Sequence, residues 1–293
     1  MLATLRRLPA PLVLLSALAH VFGAAFRTVR WLLMLRGGGL RVAWRPAVAA
    51  SFGSDLLGPL PASPFVASYL LHRTGAASAV STVPIVLAGL WAEVLVVVAG
   101  TAVVSGAAPR VVQLAAVLLC AAALAAAALL HWRRAQALVW RIACAAARVG
   151  RRTFGRWRSL ERIWAALDGL PSWTPSLARA FGPRTLVPAL TLTFVPMLLG
   201  TTITALIAAE LGYPQLTAPR AWAASGTVLV LALASPLPFD LGVVEGGQML
   251  TYGWIGVPAA AALAITLLGR FWNATIGLTL SALVTWWLRR EIT

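Results

Sequence analysis

Five long apolar stretches constrain this chain more than any other feature, because each is long enough to cross a lipid bilayer. They lie at residues 11 to 35, 78 to 105, 111 to 131, 184 to 210 and 258 to 288. A helix of about 20 apolar residues spans the hydrocarbon core. Only 11% of the 293 residues are charged and 60% are hydrophobic, whereas charged residues make up roughly a quarter of a soluble domain. The sequence therefore predicts an all-α, polytopic membrane helix bundle with no separate soluble domain.

Two further apolar segments, 46 to 71 and 221 to 256, are interrupted by residues that break helices. Proline removes a backbone donor and glycine weakens a helix, so such breaks survive at membrane depth only where protein or cavity water satisfies the backbone. We therefore predict that both segments are re-entrant helical hairpins. The breaking residues are Gly53, Gly58, Pro59, Pro61 and Pro64 in the first segment and Pro236, Pro238, Gly242, Gly246 and Gly247 in the second.

The tripeptide Pro-Leu-Pro occurs in both broken segments and indicates an internal repeat. Pro59 corresponds to Pro236, and Trp91 in turn corresponds to Trp272. Broken helices at matching places in two halves indicate a binding site in membrane transporters. We predict a first membrane half at 1 to 131, an Arg- and Trp-rich segment at 132 to 183 and a second membrane half at 184 to 293.

The net charge of +16 comes from 24 basic residues, all of them arginine. In a soluble protein this excess would suggest nucleic-acid binding, but here the arginines lie mainly in the loops between predicted spans. Seventeen fall on one side of the membrane and four on the other, while Arg27, Arg30 and Arg270 lie within spans. The positive-inside rule then predicts a cell-membrane protein whose 131 to 184 segment and C-terminus are cytoplasmic and whose N-terminus is outside.

This orientation predicts the side from which each hairpin enters the membrane. Three full spans separate the hairpins, so the first opens from the cytoplasm and the second from outside, which makes the two halves an inverted repeat. Arg6 and Arg7 depart from the rule, which leaves open either a preceding span or a tail in the interface. The apolar run after them continues to Leu35 and exceeds the ~7 to 15 residues typical of a signal-peptide core.

Residues 132 to 183 combine arginines at heptad spacing, at Arg134, Arg141 and Arg148, with five tryptophans. Tryptophan favours the headgroup level of a membrane, and arginine is attracted to an anionic membrane surface. We therefore predict an amphipathic helix that contacts anionic headgroups of the inner leaflet. Such a helix either fixes the orientation of the chain or binds a particular headgroup.

Few ionisable residues occur within the predicted membrane segments, and such residues usually face partners inside the bundle. Asp55 lies in the first hairpin and Glu93 in the span that follows it. Asp240 and Glu245 lie in the second hairpin, and Arg270 lies in the last span. One interpretation is a polar substrate cavity that these five residues line between the halves. In the other, Arg270 only neutralises Glu245 and fixes the hairpin.

Arg27 and Arg30 lie one helical turn apart on the first span, where they either bind lipid phosphate or extend to the inner interface. The three histidines lack the spacing of metal ligands, and neither a Walker motif nor a GxGxxG motif occurs. Cys120 and Cys144 are interpreted as packing residues without a disulfide. We therefore predict no metal, no cofactor, no nucleic-acid partner and no use of ATP.

The run Pro-Leu-Pro-Phe-Asp-Leu-Gly-Val-Val-Glu from Pro236 to Glu245, followed by Gly256-Val-Pro258 and by Arg270, resembles the signature of the lysylphosphatidylglycerol synthetase transmembrane-region family. Members typically show P-x-P-G-G-x-G-x-x-E, then a G-V, then an Arg in the final helix. Phe239 and Asp240 stand here in place of the paired glycines. The resemblance extends over nearly the whole chain and implies a flippase-like integral membrane protein. Members fused to an aminoacyl-transferase domain translocate aminoacylated lipid to the outer leaflet.

Three functions are compatible with this sequence. The first is a flippase-like module that moves or binds a phospholipid or polyprenyl-linked headgroup between leaflets without ATP. The second is a non-transporting accessory or scaffold protein that binds an enzyme of envelope lipid or glycan synthesis. The third, an intramembrane lipid-modifying enzyme, is disfavoured because no paired catalytic motif occurs. We predict the first function, with membrane lipids as partners and no enzymatic activity.

Overall fold

The structure, a computed structural model, describes residues 8–56, 63–103, 175–233 and 242–292 and scattered positions between 110 and 125. Helices account for most of these residues, and no strand occurs among them. The all-α prediction is therefore confirmed for the described part of the chain. In chain order the main helices are α1 (Ala10–Gly37), α2 (Trp44–Leu56), α3 (Ser63–Arg73), α4 (Ala79–Val103), α5 (Pro183–Glu210), α6 (Ala218–Leu233), α7 (Val243–Trp254) and α8 (Ala259–Ile292).

Helices α1, α4, α5 and α8 are long and apolar enough to cross a membrane, with mean hydropathies between 1.3 and 2.2 over their most apolar windows. They coincide with every predicted span except the one at 111 to 131, which is described only at scattered positions. The prediction of a multi-pass membrane protein is therefore confirmed. Most of the predicted Arg- and Trp-rich segment at 132 to 183 lies outside the described residues.

Each predicted hairpin contains two short helices, α2 and α3 in the first and α6 and α7 in the second. The longest of the four, α6, has 16 residues and measures about 24 Å, which is less than the ~30 Å hydrocarbon core. Within the residues that the structure describes, none of the four is therefore long enough to cross the core alone. The predicted residues Pro59, Pro61, Pro236, Pro238 and Asp240 lie outside the described residues, as does the side chain of Asp55.

One hydrophobic cluster joins the ends of five helices at what we call the arginine-rich end. It includes Met34 near the end of α1, Ala47 near the start of α2 and Leu71 near the end of α3, together with Ile85 of α4 and Ala189 of α5. The start of α2 and the end of α3 therefore share one cluster. The exposed arginines in or beside these helix ends are Arg36, Arg41, Arg45, Arg73, Arg179 and Arg184.

A second hydrophobic cluster lies at what we call the opposite end. It includes Leu8 before α1, Ile207 near the end of α5 and Ala221 near the start of α6, together with Tyr252 of α7 and Ala262 of α8. The start of α6 and the end of α7 therefore share this cluster. Helices α1 and α5 contribute to both clusters, so they run between the two ends in opposite directions.

Glycine allows a close crossing between α4 and α6. A Cβ atom at Gly100 would collide with the indole of Trp222, and one at Gly226 would collide with the side chain of Thr101. The indole Nε1 of Trp222 donates a hydrogen bond to the carbonyl of Val97 at 3.1 Å. Helix α6 is thus packed tightly against α4.

Helix α8 packs against α2, as α6 packs against α4. Oγ of Ser281 donates a hydrogen bond to the carbonyl of Phe52 at 2.6 Å, and the rings of Trp44 and Trp287 lie with their centroids 5.6 Å apart. The first hairpin is thus packed against the last helix of the second half.

The same pattern of helix packing occurs in the two sets of four helices. Helix α1 packs against α2 and α4, as α5 packs against α6 and α8. Helix α3 contacts α2 and α4, as α7 contacts α6 and α8. Between the sets, α4 contacts α5 and α6, as α8 contacts α1 and α2. Helices α1 and α5 share the most extensive interface and lie at the centre of this pattern.

Candidate functional site

An ion pair between α7 and α8 defines the candidate site. Nη1 of Arg270 lies 2.7 Å from Oε1 of Glu245. The other carboxylate oxygen, Oε2, accepts a hydrogen bond from the backbone N–H of Gly242 at 2.9 Å, so Glu245 also caps the start of α7. Gly242 has a φ of 80°, a left-handed conformation that glycine adopts without steric cost. One carboxylate thus holds both the guanidinium of α8 and the first turn of α7.

A second polar contact continues the ion pair along the same two helices. Gln248 lies one turn after Glu245, and Thr266 lies one turn before Arg270. The hydroxyl of Thr266 hydrogen-bonds with the side-chain amide of Gln248 at 2.6 Å. We call these four residues the polar ladder. It forms a line of polar contacts between two mainly apolar helices.

Three glycines beside the polar ladder lack close neighbours among the described residues. A Cβ atom added at Gly242, Gly246 or Gly269 would meet none of their atoms within 4 Å outside its own helix turn. The side chain of Arg270 is 31% exposed and that of Glu245 is 17% exposed, so the guanidinium is the more accessible member of the pair. Because arginine has five donors in a planar fork, a guanidinium that is paired on one side still has donors for an anionic ligand.

The position of the polar ladder along α8 can be compared with the thickness of a bilayer. Arg270 lies about 17 Å along α8 from the first residue, Ala259, at 1.5 Å per residue. The hydrocarbon core is ~30 Å thick. Ionisable residues inside membrane helices are costly, and they face partners or a water-filled cavity. The pairing of Arg270 with Glu245 agrees with this rule.

A second ion pair joins three of the long helices. Nη2 of Arg30 on α1 pairs with Oε1 of Glu93 on α4, and Nη1 donates to Oγ1 of Thr193 on α5 at 2.8 Å. Thr193 in turn donates to the carbonyl of Ala189 at 2.8 Å. The side chain of Arg30 is 11% exposed and that of Glu93 is 40% exposed. Arg30 therefore points into the bundle and does not extend to the interface.

The structure thus brings four of the predicted site residues together as two pairs, on different helices. Arg270 pairs with Glu245, and Arg30 pairs with Glu93. Arg27 lies one turn before Arg30 on α1 and is half-buried.

Three polar residues that contact these pairs or lie on the same helices were not among the predicted site residues. Gln248 and Thr266 complete the polar ladder, and Thr193 supports Arg30. Their signal in the sequence is spacing: Gln248 and Thr266 each lie three or four residues from a charged residue, which is one helical turn. Thr193 has no such signal, because its partner lies on another helix 163 positions away.

These features define an all-helical, multi-pass membrane protein with paired charges inside its membrane segments. The chain belongs to the family described as the lysylphosphatidylglycerol synthase transmembrane region, whose model matches residues 1–282. This match confirms the family predicted from the run between Pro236 and Glu245. No curated protein and no solved structure matches the chain significantly. Glu245 and Arg270, two positions on which the resemblance rests, form the ion pair of the polar ladder.

Proposed function

We propose that the protein is a flippase-like module that binds the headgroup of a phospholipid or polyprenyl-linked lipid and moves it between leaflets without ATP. The observation that carries the proposal is the partly exposed ion pair of Arg270 and Glu245, which in this proposal lies near the middle of the membrane. A polar headgroup meets its highest cost at this depth. A guanidinium there lowers that cost for a phosphate, because a charge-assisted, bidentate contact replaces part of its hydration.

We further propose that the halves form an inverted repeat with two re-entrant hairpins. The start of α2 and the end of α3 share the cluster at the arginine-rich end, whereas the start of α6 and the end of α7 share the cluster at the opposite end. The short lengths of these helices and the repeated packing pattern support the same arrangement. In this arrangement the pair of α2 and α3 and the pair of α6 and α7 enter the membrane from opposite sides.

In this proposal the distribution of arginines determines the orientation of the protein in the membrane. The arginine-rich end faces the cytoplasm, because basic residues accumulate on that side of a membrane. Helix α8 finishes at that end, since Trp287 contacts Trp44, so the C-terminus is cytoplasmic. The protein would then lie in the cell membrane, with lipids of both leaflets as its partners.

In the proposed cycle Arg270 gains the lipid phosphate as a second anionic partner. Without lipid it pairs with Glu245; with lipid its remaining donors bind the phosphate while the acyl chains stay in the hydrocarbon. Arg270 is already partly desolvated by its own partner, so the second contact adds little desolvation cost. No covalent step is needed, and the protein acts as a transporter without enzymatic activity.

Liposomes with the reconstituted full chain test this proposal. Dithionite quenching of a fluorescent phospholipid measures its transfer between leaflets. We expect the wild type to accelerate transfer over empty liposomes, and Arg270→Ala to reduce the rate about tenfold, because a hydrogen bond to a charged group contributes roughly 1.5 to 3 kcal/mol. Arg220→Ala is the matched control, since Arg220 lies at the start of α6 and donates to the carbonyl of Gln215 at 2.8 Å.

The outcomes separate transport from a scaffold role. Equal rates for wild-type and empty liposomes would overturn the flippase proposal and favour a non-transporting protein that binds an envelope-lipid enzyme. Equal rates for wild type and Arg270→Ala would show that the polar ladder is not the headgroup site. A loss of rate in Arg220→Ala as large as in Arg270→Ala would point to a general effect of charge.

A further inference from the structure

The glycine run 37–39 brings the backbone at the end of α1 into direct contact with residues around the start of α5. A Cβ atom added at Gly37 would collide with the side chain of Thr185. One added at Gly39, whose φ is 89°, would lie 2.5 Å from Nη1 of Arg179. Neither position leaves room for a Cβ atom, and Gly39 thus holds a guanidinium against bare backbone.

Two contacts fix the orientation of the Arg179 guanidinium. The Cβ position of Gly39 would lie 2.5 Å from Nη1, 2.8 Å from Cζ and 3.2 Å from Nη2. For a planar guanidinium these three distances put that position about 2.5 Å above the plane, so the face of the group covers the glycine. Within the plane, Nε donates a hydrogen bond to the carbonyl of Pro175 at 3.1 Å. One contact therefore holds the face, and the other holds the Nε corner.

The edge formed by Nη1 and Nη2 of Arg179 is left open. Neither nitrogen has a hydrogen bond or an ion pair among the residues that the structure describes, and Arg179 is exposed. The N–H donors of a guanidinium point outward within its plane, and this edge matches two oxygens of a phosphate. A group that is oriented in advance also loses less freedom when it binds.

The charge around Arg179 complements an anion. Arg36 directly precedes the glycine run, Arg41 follows Gly39 by two positions, and Arg184 is next to Thr185. All three arginines are exposed, and within the described residues none of them forms an ion pair. The acidic side chains that the structure describes lie on α4, at the end of α5 and at the start of α7; they are Glu93, Glu210 and Glu245.

We propose that Arg179, held on Gly39, binds the phosphate of one anionic phospholipid at the arginine-rich end. Nη1 and Nη2 bind two phosphate oxygens, and the neighbouring arginines add positive charge. A lipid is the expected source of the phosphate, because the site lies beside the ends of α1 and α5, which are both long and apolar enough to cross a membrane. The site is distinct from the polar ladder, and its occupancy does not require transport.

Native mass spectrometry of the full chain in detergent tests this site, because it resolves each bound lipid by its mass. The chain is titrated with phosphatidylglycerol or with phosphatidylcholine. We expect the wild type to bind the first phosphatidylglycerol about fivefold more tightly than the first phosphatidylcholine, the preference that one arginine provides near an anionic surface. Arg179→Gln should lose this preference. Arg73→Gln is the matched control, since it removes another exposed arginine at the same end, one that donates to Tyr69 at 3.2 Å.

A glycine variant separates the oriented guanidinium from its charge. Gly39→Ala keeps every charge but displaces the guanidinium, so it should lower the affinity for phosphatidylglycerol. Gly212→Ala is its control, because Gly212 has a φ of 88° and an added Cβ atom would meet no atom within 4 Å. If thermal unfolding in detergent shows that Gly39→Ala does not fold, Arg179→Lys replaces it: this variant keeps the charge without the planar edge and should also bind more weakly.

Three results would overturn the proposal. The first is an equal affinity of the wild type for the two lipids. The second is an unchanged preference in Arg179→Gln, or a loss in Arg73→Gln as large as in Arg179→Gln. The third is displacement of phosphatidylglycerol by inorganic phosphate, which would make a soluble phosphate compound the occupant.

Discussion

Glu245 and Arg270 are linked through only one oxygen of the carboxylate: Nη1 of Arg270 lies 2.7 Å from Oε1. The other oxygen, Oε2, accepts the backbone N–H of Gly242 at 2.9 Å. Glu245 therefore has two separable roles, as the counter-ion of α8 and as the N-terminal cap of α7. Glutamine preserves the acceptor for the cap and removes the charge, whereas alanine removes both.

We expect Glu245→Ala to unfold more readily than Glu245→Gln, by about 1 kcal/mol, the typical contribution of a helix cap. The single substitution Glu245→Gln should already slow lipid transfer in liposomes, because it changes the partner of Arg270 and leaves the cap in place. Thermal unfolding of the purified chain in detergent, followed by tryptophan fluorescence, measures the first effect. Identical unfolding of the two variants would show that the hydrogen bond to Gly242 contributes nothing.

The ion pair of Arg30 and Glu93 predicts an asymmetric response to mutation. Glu93→Ala leaves the buried guanidinium of Arg30 with Thr193 alone, so it should destabilise the protein. The loss should be below the ~3 to 5 kcal/mol of a fully buried pair, because Glu93 is 40% exposed. The double variant Arg30→Met, Glu93→Met should unfold closer to wild type than Glu93→Ala does. A double variant less stable than Glu93→Ala would contradict this.

The crossing of α4 and α6 predicts that glycine is required at position 226. Gly226→Ala would drive its methyl group into Thr101, and overpacking typically costs roughly 1 to 3 kcal/mol. Adding Thr101→Ala should recover part of this loss, which a double-mutant cycle measures. Gly277→Ala on α8 is the control, because its methyl group would meet no atom within 4 Å. Equal losses at the two glycines would argue against the crossing.

The proposed inverted repeat predicts opposite access to the ends of the two hairpins. In a chain with Cys120 and Cys144 replaced by alanine, Arg73→Cys should react with a membrane-impermeant maleimide only from the cytoplasmic side. Trp254→Cys, at the end of α7, should react only from outside. Both positions are exposed. Labelling of intact cells and of inverted vesicles distinguishes the sides, and reaction of both cysteines from one side would exclude the inverted repeat.

Hydropathy was sufficient to predict the four long helices, because membrane crossing depends on the length and composition of a single segment. The two re-entrant hairpins stay a prediction, because the prolines between their helices lie outside the described residues. The pairing of Arg270 with Glu245 was one of two interpretations, and the helix period brings these residues together once α7 and α8 are adjacent.

The partner of Arg30 could not be predicted in this way. Arg30 and Glu93 lie 63 positions apart, and their contact depends on α1 lying next to α4. Hydropathy indicates which segments lie in the membrane, but it does not indicate which helices are neighbours. For the same reason, Arg30 was expected either to bind lipid phosphate or to extend to the interface, whereas it points into the bundle.

The hydrogen bond from Ser281 to Phe52 joins residues 229 positions apart. During synthesis from the N-terminus, α2 is therefore made long before α8, the helix against which it packs. Until then α2 lacks the contacts that α8 provides at Phe52 and Trp44. A stop codon or frameshift before α8 would leave α2 without these contacts, and chains that cannot complete their packing are exposed to proteases in the cell.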